Sequence, residues 1–312
     1  MLLKPSSNTV METTGMRNKL GMFMLAASIS ILLSSCLVEK KKPEDIVKIS
    51  RSTDTLRIYQ PGDFIEYDVT AVTSSGTSEP VFQFGTMRIE WATTGQLTNP
   101  IDNLSISPDL KETTTLTYDG SSQPDAIAVR YISQVNTVPV AAPDQGSIIL
   151  HAIDDQLDAD YWPYINGTIP PSSPVITPVV FESPLVIGNS SPQSFSIMEC
   201  SSNLCDNEIY QFNDDVVDTV GDSTEIGTNL GIFTNPFEIS YSGGTIPVDT
   251  PALTFLGDIR DACGTSADRI THSGNMFVMP EIGIIKMTNQ CQISGGDTVI
   301  YTITIRNTSF TF

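Results

Sequence analysis

Four cysteines in the second half of the chain could form either disulfide bonds or a metal site. Cys200 and Cys205 flank the four residues SSNL, and Cys263 and Cys291 follow later. Zinc sites use closely spaced Cys and His ligands, but the chain contains no Cys-x-x-Cys, and its two histidines lie far from that spacing. An even number of cysteines in an oxidising compartment predicts disulfides. The spacing favours a Cys200–Cys205 bond and leaves Cys263 with Cys291, although four cysteines permit three pairings.

The two histidines, His151 and His272, are the candidates for the base of a nucleophilic triad. His151 lies within the strand-like stretch SIILHAI, and His272 lies in RITHSGN, at a predicted strand end beside a turn. The chain contains no GxSxG, Ser-x-x-Lys, HExxH, GxGxxG or GxxxxGK[ST] motif. We therefore predict structural roles for both histidines, no catalytic residue and no cofactor.

Carboxylates are abundant, and the net charge at pH 7 is −20. A field of that sign repels nucleic acid. Two acidic clusters stand out: Asp154, Asp155, Asp158 and Asp160, and then Asp206, Glu208, Asp214, Asp215, Asp218, Asp222 and Glu225. Neither follows the calcium-loop spacing. We expect solvated loops and no metal site, with paired carboxylates for glycoside hydrolysis as an alternative.

The stretch DADYWPYING, residues 158–167, places Tyr161, Trp162 and Tyr164 around Pro163 in a polar setting. Such aromatics stack on sugars, pack on acyl chains or anchor protein partners. They are candidate binding residues, and the alternative, which we favour, is that they fill one end of the core.

The N-terminal region has the organisation of a signal peptide. Arg17 and Lys19 precede an uncharged apolar run, 20–33, which is too short to span a bilayer comfortably. The run ends in Leu33-Ser34-Ser35-Cys36, which resembles the lipobox of bacterial lipoproteins. The resemblance implies cleavage between Ser35 and Cys36 and acylation of Cys36, by a diacylglycerol on the thiol and usually an acyl (palmitate-type) chain on the new amino terminus. An ordinary signal peptide or a membrane anchor is the alternative.

The segments around the lipobox complete this N-terminal organisation. Residues 1–15 fit no part of a signal peptide, so we expect an upstream extension with Met16 as the start, and a signal peptide over 16–35. We expect a flexible stalk over residues 36–53, which begin with the lipidated cysteine and continue as a polar stretch. Position 37 is Leu rather than Asp. In a diderm bacterium the resemblance then implies the outer membrane, on its periplasmic side or at the cell surface.

Beyond the stalk, apolar and polar residues alternate with period two. FIEYDVTAV, TMRIEWA, AIAVRYIS and VIYTITIR each place Ile, Val, Met, Tyr or Trp on one face. This alternation is typical of antiparallel strands with one buried face. We predict an all-β fold, either an open, curved antiparallel sheet (a half-barrel) or a β-sandwich. Residues 54–312 are expected to form one domain, with an internal break possible at the proline-rich segment 168–184.

FVMPEIGIIKM at residues 277–287 predicts two strands joined by a Pro-x-x-Gly turn. With GSIILHA and ESPLVIG, it resembles uncharacterised envelope lipoproteins built on a curved half-barrel, similar to periplasmic lipoprotein carriers. The resemblance implies a fold and transfers no functional residue.

These features together predict a noncatalytic envelope lipoprotein, held at the membrane through Cys36, whose curved sheet binds a lipid or other amphiphile. Two alternatives remain. The protein is a structural or assembly lipoprotein that docks another envelope protein, or it is a surface glycan hydrolase with paired carboxylates.

Overall fold

The structure is a computed structural model that describes most of the chain from Val47 onward. The described residues are 47–75, 79–100, 104–124, 126–134, 147–154, 160–164, 179–181, 183–188, 190–201, 204–222, 225–247, 253–254, 257–258, 269–293 and 297–311. Within these ranges the regular elements are β-strands, and no helix is present. The predicted all-β fold is therefore confirmed.

Twenty strands lie in the described ranges. In the first half of the chain they are β1 Lys48–Ser50, β2 Phe64–Ser75, β3 Val81–Ala92, β4 Leu97–Thr98, β5 Ser105–Ile106, β6 Leu110–Tyr118, β7 Ala126–Ser133, β8 Ile148–Asp154 and β9 Asp160–Tyr164. In the second half they are β10 Val179–Phe181, β11 Ser190–Ser201, β12 Leu204–Asp222, β13 Glu225–Thr228, β14 Gly231–Thr234, β15 Phe237–Pro247, β16 Leu253–Thr254, β17 Gly257–Asp258, β18 Arg269–Met279, β19 Gly283–Ile293 and β20 Asp297–Thr308.

Thirteen of these strands form one large antiparallel sheet. Its order is β10-β8-β7-β6-β3-β2-β20-β19-β18-β15-β12-β11-β9, and β9 also pairs with β8. Six of the twelve neighbouring pairs in this order are consecutive in sequence, and antiparallel strands of this kind can be joined by a direct return of the chain. The β2–β20 pair instead brings the two ends of the described chain together at the centre of the sheet.

The central strands bury one face, as their alternation predicts. In β2, Ile65, Tyr67, Val69 and Ala71 are at most 2% exposed, whereas the residues between them are half-buried. The same holds for Met87, Ile89 and Trp91 in β3 and for Val299, Tyr301, Ile303 and Ile305 in β20. These side chains belong to one apolar core, and its burial is the main source of the sheet's stability.

Strand β7 differs from its predicted pattern. The alternation places Ile127, Val129 and Tyr131 on the buried face, but Ile127 and Tyr131 are half-buried while Arg130 and Ile132 are buried. The β7–β8 register shifts between Tyr131 and Ile132, with His151 as the extra residue on β8. A second apolar cluster, to which Tyr131 contributes, also packs in this region, so burial here is not confined to one face.

The folded part begins earlier than predicted. Residues 47–312 form one compact unit, and β1 lies within the predicted stalk. Strand β1 pairs in parallel with β14 in a small sheet of order β1-β14-β13, and Ile49 packs against the main core. Glu281 Oε1 accepts hydrogen bonds from the main chain and hydroxyl of Ser52 and from the Thr53 N–H at 3.0 Å. These contacts order a segment whose composition alone predicts flexibility.

The proline-rich segment 168–184 carries only an edge element in its described part. Strand β10 lies at one end of the sheet order, where a strand needs few ladder hydrogen bonds. Strands before and after the segment, such as β8 and β11, belong to the same sheet. Residues 1–46, which include the predicted signal peptide, Cys36 and most of the stalk, lie outside the described residues.

The predicted turn in FVMPEIGIIKM is confirmed. Strand β18 ends at Met279 and β19 begins at Gly283, and the Ile282 N–H donates to the Met279 carbonyl at 2.9 Å. Gly283 has φ +119°, and a Cβ atom there would lie 2.4 Å from the Tyr59 hydroxyl. Glycine is therefore required both by the backbone conformation and by the close approach of Tyr59.

Candidate functional site

A buried ion pair lies between the central strands of the first half. Glu112 on β6 faces Arg130 on β7, and their side chains are 3% and 5% exposed. Arg130 Nε donates to Glu112 Oε1 at 2.7 Å, and Arg130 Nη2 donates to the same oxygen. The Trp91 indole N–H donates to Glu112 Oε2 at 3.0 Å. Both oxygens of this carboxylate are thus hydrogen-bonded, so it is suited to holding three strands in register rather than to transferring protons.

Tyr59 closes this polar cluster from the chain segment that precedes β2. Its ring stacks on Trp91 with centroids 3.8 Å apart and planes 7° from parallel, and its hydroxyl donates to the Ile282 carbonyl at 3.1 Å. Burial raises the pKa of the Tyr59 hydroxyl far above its ordinary value, and the nearby Glu112 charge adds to this effect. Tyr59 therefore stays neutral at any physiological pH.

The cavity beside Tyr59 and Trp91 has a volume of about 50 Å³. Its wall is mostly apolar, with Glu112, Arg130 and Gln134 as the polar members. Ligand pockets measure about 300–1,000 Å³, whereas one water needs about 10–15 Å³. This space suits a few waters and is too small for an acyl chain.

His151 lies on β8, within a strand as predicted, and contacts a serine in an arrangement that only superficially resembles a triad. Its Nε2 lies 3.0 Å from Ser133 Oγ, and its Nδ1 has no hydrogen-bond partner in the described part of the chain. Ser133 is fully buried, and its hydroxyl accepts the Asp109 main-chain N–H at 3.3 Å. No substrate can reach this serine, and no carboxylate orients the imidazole. Burial lowers the His151 pKa to about 4, only partly offset by the Asp109 charge.

His272 and Trp162, the next predicted site residues, lie on different strands, and each lies near one of the cysteines. His272 lies inside β18, opposite Cys291 of β19, rather than at a strand end. Trp162 on β9 is 4% exposed and packs in a cluster with Ala152 and Cys200. That position fits the core-filling alternative for Trp162. The structure does not describe the side chains of Tyr161, Tyr164 and His272.

The structure describes the side chains of two of the four cysteines that are predicted to form disulfides. Cys200 and Cys291 are both buried. The β11–β12 hairpin pairs Ser201 with Leu204, so the backbone at Cys200 runs beside Cys205. Because the side chains of Cys205 and Cys263 lie outside the described set, the pairing stays a prediction.

Two described carboxylates share one arginine. On the solvent face, Arg88 lies between them and bonds Glu66 at 2.6 Å and Glu90 at 2.9 Å. Among the described residues, no group of three or more His, Cys, Asp or Glu side chains is placed to hold a metal ion. Side chains of most of the two predicted acidic clusters lie outside this set.

An exposed apolar surface, which sequence analysis missed, lies at one end of β2, β3 and β20. We term Val72, Phe82, Phe84 and Ile300 the aromatic patch. Val72 pairs with Phe82 on one side and with Ile300 on the other, so the three form a row across the strands. Phe82 is 58%, Phe84 54% and Ile300 39% exposed, and the two phenylalanine rings stack with centroids 6.5 Å apart.

The strand segments that carry the aromatic patch contain no basic residue. Segments 69–75, 79–87 and 298–305 contain no Lys or Arg. Glu79 and Asp119, at its margin, are both exposed. The stretch VFQF is the sequence signal for this patch. Its phenylalanines occupy even-numbered positions, whereas the buried residues Met87, Ile89 and Trp91 of the same strand occupy odd-numbered ones.

Searches of known protein families, of curated protein sequences and of solved structures find no match to the chain. The described residues contain no helix with the length and apolarity needed to cross a bilayer. The function must therefore be inferred from the geometry of this chain alone.

Proposed function

We propose that this chain is a noncatalytic lipoprotein of the bacterial envelope that docks another protein through the aromatic patch. The observation that carries this proposal is the pair of stacked, more than half-exposed phenylalanines on a strand whose inward residues are buried. Exposed apolar clusters rimmed by polar residues are typical of interaction sites, and aromatic residues supply much of the energy of such contacts.

Docking a protein is better supported than binding an amphiphile. The cavity beside Tyr59 is too small for an acyl chain. An open groove of about 400 Å³ beside β1 is lined by charged Lys48, Arg57 and Glu281 as well as by apolar side chains. Lipid sites are predominantly apolar, so neither space is suited to an acyl chain.

The proposed location follows from the N-terminal sequence. Acylation of Cys36 would hold the domain at the outer membrane, and two or more acyl chains give stable anchoring. Residues 37–46 span at most about 35 Å when fully extended, which keeps the domain close to the bilayer. Disulfides between Cys200 and Cys205 and between Cys263 and Cys291 suit an oxidising compartment.

The test is site-specific photocrosslinking in the cells that make the protein. A photoreactive phenylalanine analogue replaces Phe82 in one variant and Glu90 in the control, since both side chains are exposed on β3 and point to the same face. We expect one discrete protein adduct from position 82 that is absent from position 90. Equal adduct patterns from both positions, or no protein adduct from position 82, would overturn the proposal.

A matched variant adds specificity. Phe84→Asp leaves position 82 in place but puts a charge into the patch, and it should lower the adduct yield from position 82 by at least about tenfold. Ala92→Asp, at the exposed far end of β3, serves as a control for added charge, and it should leave the yield unchanged.

A further inference from the structure

Strand β3 extends past its neighbour at the aromatic patch. It pairs with β2 along Val81–Glu90, but its pairing with β6 begins only at Gly85. Beyond that point the chain after β6 turns away through Asp119 and Gly120, where Gly120 has φ +93°. Residues 81–83 of β3 therefore pair with β2 on one edge, and in the described part of the chain no strand pairs with their other edge, which we term the open edge.

The register identifies which main-chain groups face the open edge. The Trp91 N–H donates to the Asp63 carbonyl at 3.0 Å, so odd-numbered residues of β3 bond to β2. Even-numbered residues point the other way, as the bond from the Asp119 N–H to the Phe84 carbonyl at 2.8 Å confirms. The N–H and C=O of Phe82 thus lie in the plane of the sheet and point away from β2. In the described part of the chain no group pairs with them.

Both faces of this open edge are apolar and exposed. Phe82 and Phe84 project on the solvent side, and Val81, on the opposite face, is 61% exposed because the core ends before it. Native proteins often protect such edges with Lys, Pro or a bulge. Pro80 stands directly before β3, but residues 81–84, VFQF, contain neither Lys nor Pro. This uncharged edge offers the N–H and C=O of Phe82, with exposed apolar side chains beside them, to an added strand.

We propose that an extended segment of the partner protein adds to β3 as a further strand at Val81–Phe84. This inference rests on the proposed docking function and names its mode. The incoming strand would exchange main-chain hydrogen bonds with Phe82 and lay apolar side chains at alternate positions against Phe82 and Phe84. A Lys or Arg beside them would meet Glu79 and Asp119.

A second copy of this chain fits the edge less well than another protein. Two copies paired through this edge would bring Glu79 and Asp119 of each near the same acids of the other, within chains of net charge −20. Like charges across an interface are unfavourable, so the partner segment carries basic rather than acidic residues.

The experiment compares two substitutions of Phe82, with the photoreactive analogue at Ile300 as probe in the full-length protein in cells. Phe82→Ala removes the ring and keeps the N–H, whereas Phe82→Pro removes both. Because this N–H is not bonded to β2, proline there leaves the β2–β3 ladder intact. We expect the proline variant to give at least about tenfold less protein adduct than the alanine variant.

The possible results distinguish strand addition, the proposed mode of binding, from the proposed docking function itself. Equal adduct yields from the alanine and proline variants overturn strand addition and leave face-to-face docking. No protein adduct from position 300 in the otherwise unchanged protein overturns the docking function itself. An adduct of twice the chain mass assigns the edge to a second copy, and adducts only to lipid assign the patch to the membrane; each overturns the proposal.

Hydrogen exchange keeps the test independent of how well the proline variant folds. The partner identified by crosslinking is mixed with the unsubstituted protein. In that complex, the Phe82 amide should exchange at least about tenfold more slowly than in the free protein. The Gln83 amide, which points to β2 in both states, provides the internal control. An unchanged Phe82 exchange rate in the complex overturns strand addition.

Discussion

Glu112 and Arg130 face each other directly across β6 and β7, with side chains that are 3% and 5% exposed. Trp91 of β3 pairs with Glu112 from the other side and donates its indole N–H to the second carboxylate oxygen. Three neighbouring strands are therefore linked by one carboxylate. Since a one-residue slip would leave these charges unpaired, we infer that the cluster specifies strand register.

Breaking the pair on one side should be costly. Arg130→Met leaves Glu112 buried with only the Trp91 N–H as partner, so we expect the free energy of unfolding to fall by about 3–5 kcal/mol. The double variant Glu112→Met with Arg130→Met removes both charges and should recover much of this loss. Urea unfolding at pH 7, with both single variants and the double variant, measures the coupling. A loss below about 1 kcal/mol in Arg130→Met would contradict the role assigned to the pair.

Acid should destabilise the protein through His151. Its pKa is about 4 in the folded protein, because burial disfavours the imidazolium, and about 6.5 when unfolded. The unfolded chain therefore binds more protons between these values, and stability is complete above about pH 6.5 and falls as pH drops toward 4. The shift corresponds to about 3 kcal/mol.

The measurement for His151 is urea unfolding at a series of pH values from 4 to 7.5, on the unsubstituted protein and on His151→Gln. The glutamine amide keeps a polar group near Ser133 but does not titrate, so its curve should be flatter by about 3 kcal/mol over this range. Parallel pH curves for the two proteins would show that His151 does not carry the acid sensitivity.

Thiol counting tests the predicted disulfides. The denatured, unreduced protein without its acyl anchor should show none of Cys200, Cys205, Cys263 and Cys291 as a free thiol, since an oxidising compartment pairs all four. Peptide mapping then distinguishes the local Cys200–Cys205 bond from the other two pairings. Two or more titratable thiols would refute the scheme.

Sequence reasoning predicted the strands where one physical signal dominates. Alternation placed Ile65, Tyr67 and Val69 on the buried face because β2 has solvent on its other face. It misplaced β7, because a second apolar cluster packs against the face that Tyr131 presents. The Pro-x-x-Gly turn was predictable because turn chemistry is local.

The features of the candidate site were less accessible to sequence reasoning, since they depend on where strands end relative to one another. Phe82 and Phe84 fall in an ordinary β pattern, and only the late start of the β3–β6 pairing shows that their strand edge is open. Likewise Lys48–Ser50 has the composition of a stalk, and its order depends on the distant β14 and on Glu281. Such contacts join residues more than 180 positions apart, and no local sequence pattern predicts them.

The last prediction concerns the membrane anchor. Cys36→Ser removes the thiol that the lipobox resemblance marks for acylation, so the precursor should stay uncut and lack lipid. The matched control, Cys200→Ser, removes a different cysteine and should leave lipid attachment and cleavage unchanged. Metabolic labelling with a fatty-acid analogue, read together with the mass of the protein, measures both steps. Normal processing and membrane retention of Cys36→Ser would refute the anchor, and with it the location of the proposed docking function, while leaving the open edge of β3 as a property of the fold.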